Sequence, residues 1–563
     1  MAVKWWHRLK IYQVYPKSFK DSNQDGAGDI EGIINKIDYF EKLGINMIWL
    51  NPIYMSPQID NGYDVADYYR IDPSFGTMAD VERLLSEAHA HGIKVIFDFV
   101  VNHTSDQHPW FQEAITDLNS PYRDFYVFKA GKENGTLPPN NWQSFFGGST
   151  WEKEPNGDLY YFHLFDKHMP DLNWANPDVR YEMTKIAKFW LAKGLDGFRV
   201  DAFIHIDKTA GYPDLDHLAP GEIGIAEEHY SNKPRVNQYM KEWRDAIRED
   251  YPDAFVIGEA SSAHPGLANW YCDPDYGGCD AVITFRYFFE RGEMKDHRLD
   301  WGFQEGEWDI EGFKNAMVEW QSAMAENGGP VLYLSNHDMA RALTRFGTTN
   351  TANRSQCAKM LGAAMYLQKG IPLIYYGEEI GMQNLQFDSI SDFPAADVHS
   401  FVARSHELGY ADWKIISNLN QTHKLAARGL MQWTDEAPNV GFTSANQSTW
   451  IRANAENGFN VADQLKEEES IFYFYQKLLD LKKENLFLYG YWELVASETE
   501  TYVYERRWDN ERAFVLCNLS GQNKNVYVEV SPSWKVVIEN DNNTVENGKV
   551  SLAPYGVIVL KNR

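Results

Sequence analysis

The ends of four apolar runs in this sequence carry acids: Asp98-Phe-Val-Val-Asn-His103, Asp196-Gly-Phe-Arg-Val-Asp201, Val256-Ile-Gly-Glu259 and Ser335-Asn-His-Asp338. An isolated acid at such a place usually caps a turn or joins a loop ion pair. Four of them, two beside a histidine and one beside an arginine, point instead to acid–base or nucleophilic chemistry. Arg199 stands two residues before Asp201, so in an extended strand both side chains project from one face. There the guanidinium is expected to keep Asp201 ionised and aimed. A second constellation, Asp21-Ser-Asn23-Gln-Asp25-Gly-Ala27-Gly-Asp29, spaces oxygen-bearing side chains around glycine turns. Such a loop can wrap a hard cation, although a solvated Asx-rich turn has the same composition. It carries no helix-loop-helix with a glutamate at the twelfth position, so it is not an EF-hand.

The elements that would position these acids repeat one rhythm. Val81, Leu84, Leu85 and Ala88 fall at i, i+3, i+4 and i+7, Gly92 stops the helix, and Ile93 to Phe97 read as a buried strand. The same punctuation recurs at Gly44, Gly194 and Gly370. Helices alternating with buried strands imply parallel pairing. Eight strands are expected, at about 10–15, 46–51, 93–99, 195–201, 254–259, 280–285, 330–335 and 371–376. That order favours an α/β fold of the (β/α)₈ TIM barrel type, whose reactive groups gather at the carboxyl ends of the strands. None of the strands leads into a glycine-rich phosphate fingerprint, which counts against a nucleotide-binding sheet.

Two stretches break the rhythm. Residues 104–172, rich in Asn, Gly, Pro and aromatics and without helical periodicity, form an inserted subdomain after the third strand. Beyond a helix at about 470–483, alternating runs such as Thr501-Tyr502-Val503-Tyr504 predict a C-terminal antiparallel β-sandwich over 490–563. The barrel itself is assigned to 1–103 and 173–489. Trp5 and Trp6 are expected to close the barrel bottom, and Phe472 to Tyr475 to pack against it.

The acid-bearing segments resemble the ordered motifs of the α-amylase superfamily (glycoside hydrolase family 13), and more closely its oligo-α-glucosidase group. Ile48-Trp-Leu-Asn-Pro-Ile53, Asp60-Asn-Gly-Tyr-Asp64 and Pro372-Leu-Ile-Tyr-Tyr-Gly-Glu378 agree as well, and the likeness runs from about Trp5 to residue 485. The resemblance implies a retaining double displacement with Asp201 as nucleophile, Glu259 as acid/base and Asp338 as the third catalytic carboxylate, which favours the distorted, cation-like ring. A retaining pair sits ~5–5.5 Å apart. Glu259 must then hold a proton, which calls for partial desolvation and the field of neighbouring acids. The resemblance also implies sugar-binding roles for Asp98, Arg199, His103 and His337, and a pocket in which Asp60 and Tyr63 close over the terminal glucose, with Tyr63 stacking on the ring. Action is therefore expected to be exo. Arg428 matches an arginine of an ion pair at the pocket floor, although Gly429-Leu430 replaces the usual Thr-Pro. A structural Ca²⁺ held by Asp21, Asn23, Asp25, Asp29 and the carbonyl of Ala27 is likewise implied, with Mg²⁺ as the other hard cation such a loop admits.

Ala202 follows the nucleophile, where the resemblance associates Val with α-1,6 and Ala or Thr with α-1,4 linkages. A β-branched side chain there narrows the leaving-group wall, an effect of ~1–3 kcal/mol. Met169 replaces a Gln typical of oligo-1,6-glucosidases. Both departures favour cleavage of maltose and short α-1,4 oligosaccharides over isomaltose. Transglucosylation or sucrose isomerisation would use the same residues, since a sugar hydroxyl can intercept the covalent intermediate. No basic clamp for a sugar phosphate is identifiable. A non-catalytic relative of the barrel is disfavoured because Asp201, Glu259 and Asp338 are all present. Phe145, Phe146, Phe162 and Phe165 are balanced between lining the substrate and packing the insert; His205 and Arg341 are candidate leaving-group contacts.

Composition bounds the rest. The 563 residues carry a formal charge of −27, which would repel nucleic acid and anionic membranes. No run of ~20 apolar residues suggests a membrane helix, and Met1 to Lys10 lack an apolar signal core. Four cysteines without CxxC spacing argue for a reducing, cytoplasmic setting. The partner expected is a small oligosaccharide; monomer and homodimer are equally open. An aromatic content of 15% suits a sugar-binding cleft as well as a large core.

Overall fold

The computed structural model describes residues 4–562 except 156, 289, 292–294, 349–350, 395, 445–447 and 455. Eight parallel strands form the central sheet: β1 (Ile11–Val14), β2 (Met47–Leu50), β3 (Lys94–Val100), β4 (Gly197–Asp201), β5 (Phe255–Glu259), β6 (Ala281–Ile283), β7 (Val331–Leu332) and β8 (Ile371–Tyr375). Every predicted strand is present. Their order, β6-β5-β4-β3-β2-β1-β8-β7, curls the sheet into a nearly closed barrel. At the seam between β6 and β7, side chains replace the ladder: the Tyr287 hydroxyl donates to the Val331 carbonyl at 2.8 Å, and that of Tyr333 to Thr284 at 2.5 Å.

Local chemistry accounts for these elements. The helix Met78–Ala90 starts at a Thr77 and Asp80 capping box and buries the predicted Val81, Leu84, Leu85 and Ala88. Gly44 caps Ile37–Leu43 in the left-handed conformation at φ 92°. Gly197 opens β4 at φ 153°, where a Cβ would lie 2.0 Å from the Phe255 carbonyl oxygen, so β4 and β5 could not pair as they do with a side chain there. Trp5 packs on Phe255 at the amino end of β5, with ring centroids 5.9 Å apart.

Between β3 and the helix Pro177–Ala192 lies a three-stranded antiparallel sheet (Phe128–Ala130, Trp151–Lys153, Leu159–Phe162). This stretch, which lacks helical periodicity in its sequence, also contains a helix, Pro109–Thr116. Pro109 presets the first helical φ, and Trp110, Phe111 and Ala114 bury one side in only two turns, too short for periodicity to register. A second excursion, after β4, packs onto this sheet: Leu215 and Tyr230 share a core with Trp142, Trp151 and Phe162, and the Trp142 indole donates to the Pro213 carbonyl at 2.8 Å. Phe162 is thus a packing residue. A third excursion, after β8, carries helices Ala396–Glu407, Asp412–Thr422 and Lys424–Ala427 over a separate apolar cluster.

The C-terminal region holds a five-stranded antiparallel sheet opening at Tyr491–Leu494, and a three-stranded one. Along Thr501–Trp508, Val503 faces the second sheet, while Tyr502 and Tyr504 face the barrel. The Tyr504 hydroxyl donates to the Ala363 carbonyl at 2.9 Å. Among the described residues, no helix is long and apolar enough to cross a membrane.

Candidate active site

The parallel registers bring the acids together. Asp98 on β3 lies beside Arg199 on β4, and Arg199 beside Ile257 on β5, two residues before Glu259. The Arg199 guanidinium, 1% exposed, bonds three carboxylates at once: Asp98 at 2.7 Å, Asp201 at 2.5 Å and Glu259 at 2.7 Å. It lies over the Trp49 ring at 5.1 Å. Three acids around one cation leave excess negative charge, and the cluster relieves it by retaining protons. Burial, with the charges of Glu259 and Asp98, pushes the Asp201 carboxyl well above its usual range against the pull of Arg199. The spacing of the two residues predicted a contact between Arg199 and Asp201. The contact exists, but Arg199 is divided among three partners. Burial likewise raises Asp98 to about 6, although Arg199 and Tyr63 oppose it.

A cavity of about 430 Å³ opens over this cluster, within the ~300–1,000 Å³ typical of ligand sites. Asp60, Tyr63, His103, Asp201, Ala202, Glu259 and Asp338 all line it. Asp98, Arg199, His337 and Arg428 stand behind the wall, where each can act on a sugar only through the residues in front. Phe145, Phe146, Phe165, Met169 and His205 also face the cavity; Arg341 does not, being 2% exposed and donating to the Tyr376 carbonyl at 2.8 Å.

Tyr63 joins the wall to the cluster. Its hydroxyl donates to Asp98 at 2.8 Å, receives the Asn51 amide at 2.8 Å, and meets His337 Nε2 at 2.5 Å. The Gln13 amide nitrogen donates to His337 Nδ1 at 2.8 Å, which puts the imidazole proton on Nε2. Burial holds His337 neutral, far below its usual pKa, and lowers His103 to about 4. The Tyr63 ring stacks on the His337 imidazole at 5.3 Å and 7°, so a sugar can meet only its other face.

Asp338 is 28% exposed at its side chain. Burial would raise it, yet the edge of His337 and the charges of Lys424 and Arg428 hold its carboxyl down at about 2. Arg428 reaches Asp338 at 3.4 Å and donates to the His337 carbonyl at 2.9 Å. The cation nearest Asp60 is Lys424, at 3.9 Å. Burial raises Asp60 to about 6 despite the opposing charges of Lys424 and Arg428. Sequence reasoning missed Lys424, whose only local signal is its place one helical turn before Arg428. It also missed Asp397, Thr422 and His423 of the excursion after β8, and Gly302 and Phe303, all of which complete the wall.

Ala202 lines the cavity in the left-handed conformation at φ 45°, and its N–H donates to Glu259 at 3.1 Å.

In the Asp21–Asp29 loop, Asp21 and Asp29 are buried. Asp21 accepts the N–H groups of Gln24 at 2.6 Å and Gly26 at 3.0 Å; Asp29 accepts those of Ser22 at 2.9 Å and Gly32 at 2.6 Å. Asn23 and Asp25 bond each other, and Asp25 takes the Ala27 N–H at 2.9 Å. The donor set is all oxygen, as a hard cation requires, but its carboxylates serve as backbone acceptors. Among the described residues, the group of three metal-ligating side chains that converges is the exposed Asp38, Glu41 and His91 instead.

Residues 13–490 match the family model of the α-amylase catalytic domain. An oligo-1,6-glucosidase of Parageobacillus thermoglucosidasius is 40% identical over 530 residues, 92% of this chain and 91% of that protein. A trehalose-6-phosphate hydrolase of Bacillus subtilis is 37% identical, over 99% of this chain and 98% of its own. A solved structure described as a family GH13_31 enzyme superposes with a TM-score of 0.89 at 44% identity, covering 99% of this chain and all of that one.

Proposed function

Because this chain belongs to the α-amylase family of glycoside hydrolases, we propose that it is an exo-acting, retaining α-glucosidase that removes glucose from the non-reducing end of short oligosaccharides. The observation that carries the reading is a single cavity lined by Asp201, Glu259 and Asp338 together with Asp60, Tyr63 and His103.

In this reading Asp201 attacks the anomeric carbon while Glu259 gives its proton to the leaving oxygen, and Glu259 then takes a proton from the water that frees the glucosyl group. The carboxylate cluster holds the required proton. Arg199 aligns Asp201 and Glu259 through two different nitrogens. Asp338, kept anionic by Lys424 and Arg428, stabilises positive charge developing on the ring. Asp60 and His103 are placed to bond the hydroxyls of the terminal sugar, and Asp98 and His337 orient Tyr63 against it.

The relatives' names favour α-1,6-linked substrates such as isomaltose, and these come first. A second reading, maltose and short α-1,4 oligosaccharides, is favoured by Ala202, whose small side chain widens the wall beside Glu259. Transfer to a sugar acceptor would use the same covalent intermediate. The deciding experiment is kinetics and product analysis with isomaltose, maltose, trehalose and sucrose at low and high concentration. Failure to release glucose from any of them would overturn the glucosidase reading. The same reading keeps a structural Ca²⁺ in the Asp21–Asp29 loop, held by Asp21, Asn23, Asp25, Asp29 and the Ala27 carbonyl, and a cytoplasmic location.

A further inference from the structure

Behind the catalytic cavity lies a buried charge that the reaction does not use. Arg341 follows Asp338 by three residues, in the segment after β7, and is 2% exposed. Its Nη1 donates to the Tyr376 carbonyl at 2.8 Å, and its guanidinium lies over the Tyr375 and Tyr376 rings at 4.9 and 4.8 Å. Nε and Nη2 are buried and have no hydrogen-bond partner among the described residues. Glu378, in the turn Glu378–Ile380 after β8, has the matching gap. Its Oε1 accepts the hydroxyls of Tyr366 at 2.5 Å and Tyr475 at 3.0 Å, while Oε2 is buried and has no partner among the described residues. Such atoms are costly to bury unbonded, more so on charged groups.

Arg341 and Glu378 both line an internal cavity of about 10 Å³. Ser335, 1% exposed, lines it too; its hydroxyl oxygen accepts the Ala342 N–H at 2.7 Å, which leaves its proton to give. Apart from these three and Tyr475, the lining side chains are apolar, among them Ala358, Leu361 and Met382. A water needs ~10–15 Å³ and about two to four polar partners, and this space supplies both. It has no room for an organic ligand, and the guanidinium repels cations. Ser335 and Arg341 flank His337 and Asp338 along the chain, whereas Glu378 is fixed by tyrosines of the helices Thr351–Tyr366 and Ile471–Leu481. A water bonded to all three ties the segment that carries Asp338 to the packed core behind it.

We propose that this cavity is a site for one buried water that bridges Ser335, Arg341 and Glu378, and that Arg341 and Glu378 are positioning residues holding Asp338 toward the reacting sugar ring. The site stands on its own geometry; its catalytic consequence rests on the glucosidase reading.

A crystal structure of the full chain at a resolution that shows ordered waters tests the site. A single peak within hydrogen-bond distance of Arg341 and Glu378 is expected; no density, a direct Arg341–Glu378 ion pair, or a peak that bromide replaces on soaking would each overturn it. Two variants test the role, each first shown by thermal melts to be folded. Ala358→Val adds methyl groups at the cavity wall and displaces the water while every hydrogen-bonding side chain stays; Glu378→Met removes the acid. In both, kcat on p-nitrophenyl α-D-glucoside is expected to fall about tenfold with KM nearly unchanged, because Asp338 acts on the cation-like ring. Glu378→Gln keeps an acceptor for the tyrosines and an N–H for the water, and is expected to retain kcat. A folded Ala358→Val enzyme with wild-type kcat, a loss confined to KM, or equal losses in Glu378→Gln and Glu378→Met would overturn the positioning role, and Ala358→Val decides alone if Glu378→Met does not fold. Absence of glucose release by the wild type would overturn the glucosidase reading and leave the crystallographic result for the water as it stands.

Discussion

Arg199 is the residue whose replacement separates charge from geometry. Its two terminal nitrogens make three contacts of 2.5 to 2.7 Å with Asp98, Asp201 and Glu259. Arg199→Lys keeps the positive charge but offers one compact ammonium that cannot span three carboxylates. Two charge-assisted contacts are lost, each worth roughly 1.5–3 kcal/mol, or about 3–6 kcal/mol together. If that energy positions the reacting groups, kcat/KM falls by about two to four orders of magnitude at roughly 1.4 kcal/mol per decade. Arg199→Met removes the charge as well. The carboxylates then hold their protons more tightly, and the form with an anionic Asp201 appears only at higher pH. The acid limb of the kcat/KM profile must move upward in Arg199→Met and much less in Arg199→Lys. The assay is hydrolysis of p-nitrophenyl α-D-glucoside from pH 4 to 9, with thermal melts of each variant to show that it is folded. A folded Arg199→Met enzyme with wild-type kcat/KM, or with its acid limb unmoved, would refute the shared-cation account.

Asp201→Ala and Glu259→Gln should each lower kcat by several orders of magnitude in a folded protein, because each removes a step of the displacement; near-normal turnover by either would remove its assignment. Ala202→Val should raise the isomaltose-to-maltose ratio of kcat/KM and lower the melting temperature, since a β-branched residue is strained at φ 45°; an unchanged ratio would discard the linkage role of this wall. Burial raises Glu378, bonded by the Tyr366 and Tyr475 hydroxyls, to about 8. Folded chains therefore hold a proton that unfolded chains lose above about pH 4.5, so this group's contribution to stability falls as pH rises from about 4.5 to 8. Glu378→Gln should flatten that decline in melts across pH 5–9, and an unaltered slope would contradict the buried, protonated acid. Exhaustive chelation should lower the melting temperature if the Asp21–Asp29 loop holds Ca²⁺, and restoring Ca²⁺ should reverse it; no shift would leave the loop as a turn closed by its own Asx bonds.

What the amino-acid sequence determined by itself is the barrel and the places of its acids. Strand, helix and stop are each written within a few residues: Val81, Leu84, Leu85 and Ala88 mark a buried face, Gly44 can enter a left-handed cap, and apolar runs ending at Asp201 or Glu259 mark the carboxyl face. Strand alternation also sufficed to put Arg199 and Asp201 on one face. The short helix Pro109–Thr116 escaped because two turns hold too little periodicity to outweigh the composition around it.

Only the tertiary structure decided how the acids behave and what surrounds them. Spacing suggested an arginine serving one aspartate, whereas three strands side by side make it serve three carboxylates, and burial raises the Asp201 carboxyl against its pull. Asp98, His337 and Arg428 were foreseen as residues of the site, but their place behind Tyr63 and Asp338 depends on contacts between residues far apart in the chain, as with Tyr63 and His337, 274 residues apart. Lys424 was not foreseen, since it comes from the excursion after β8 with no strand end to mark it. Periodicity is a property of neighbours along the chain; a proton's position and a cavity's wall depend on charges and surfaces that folding alone brings together.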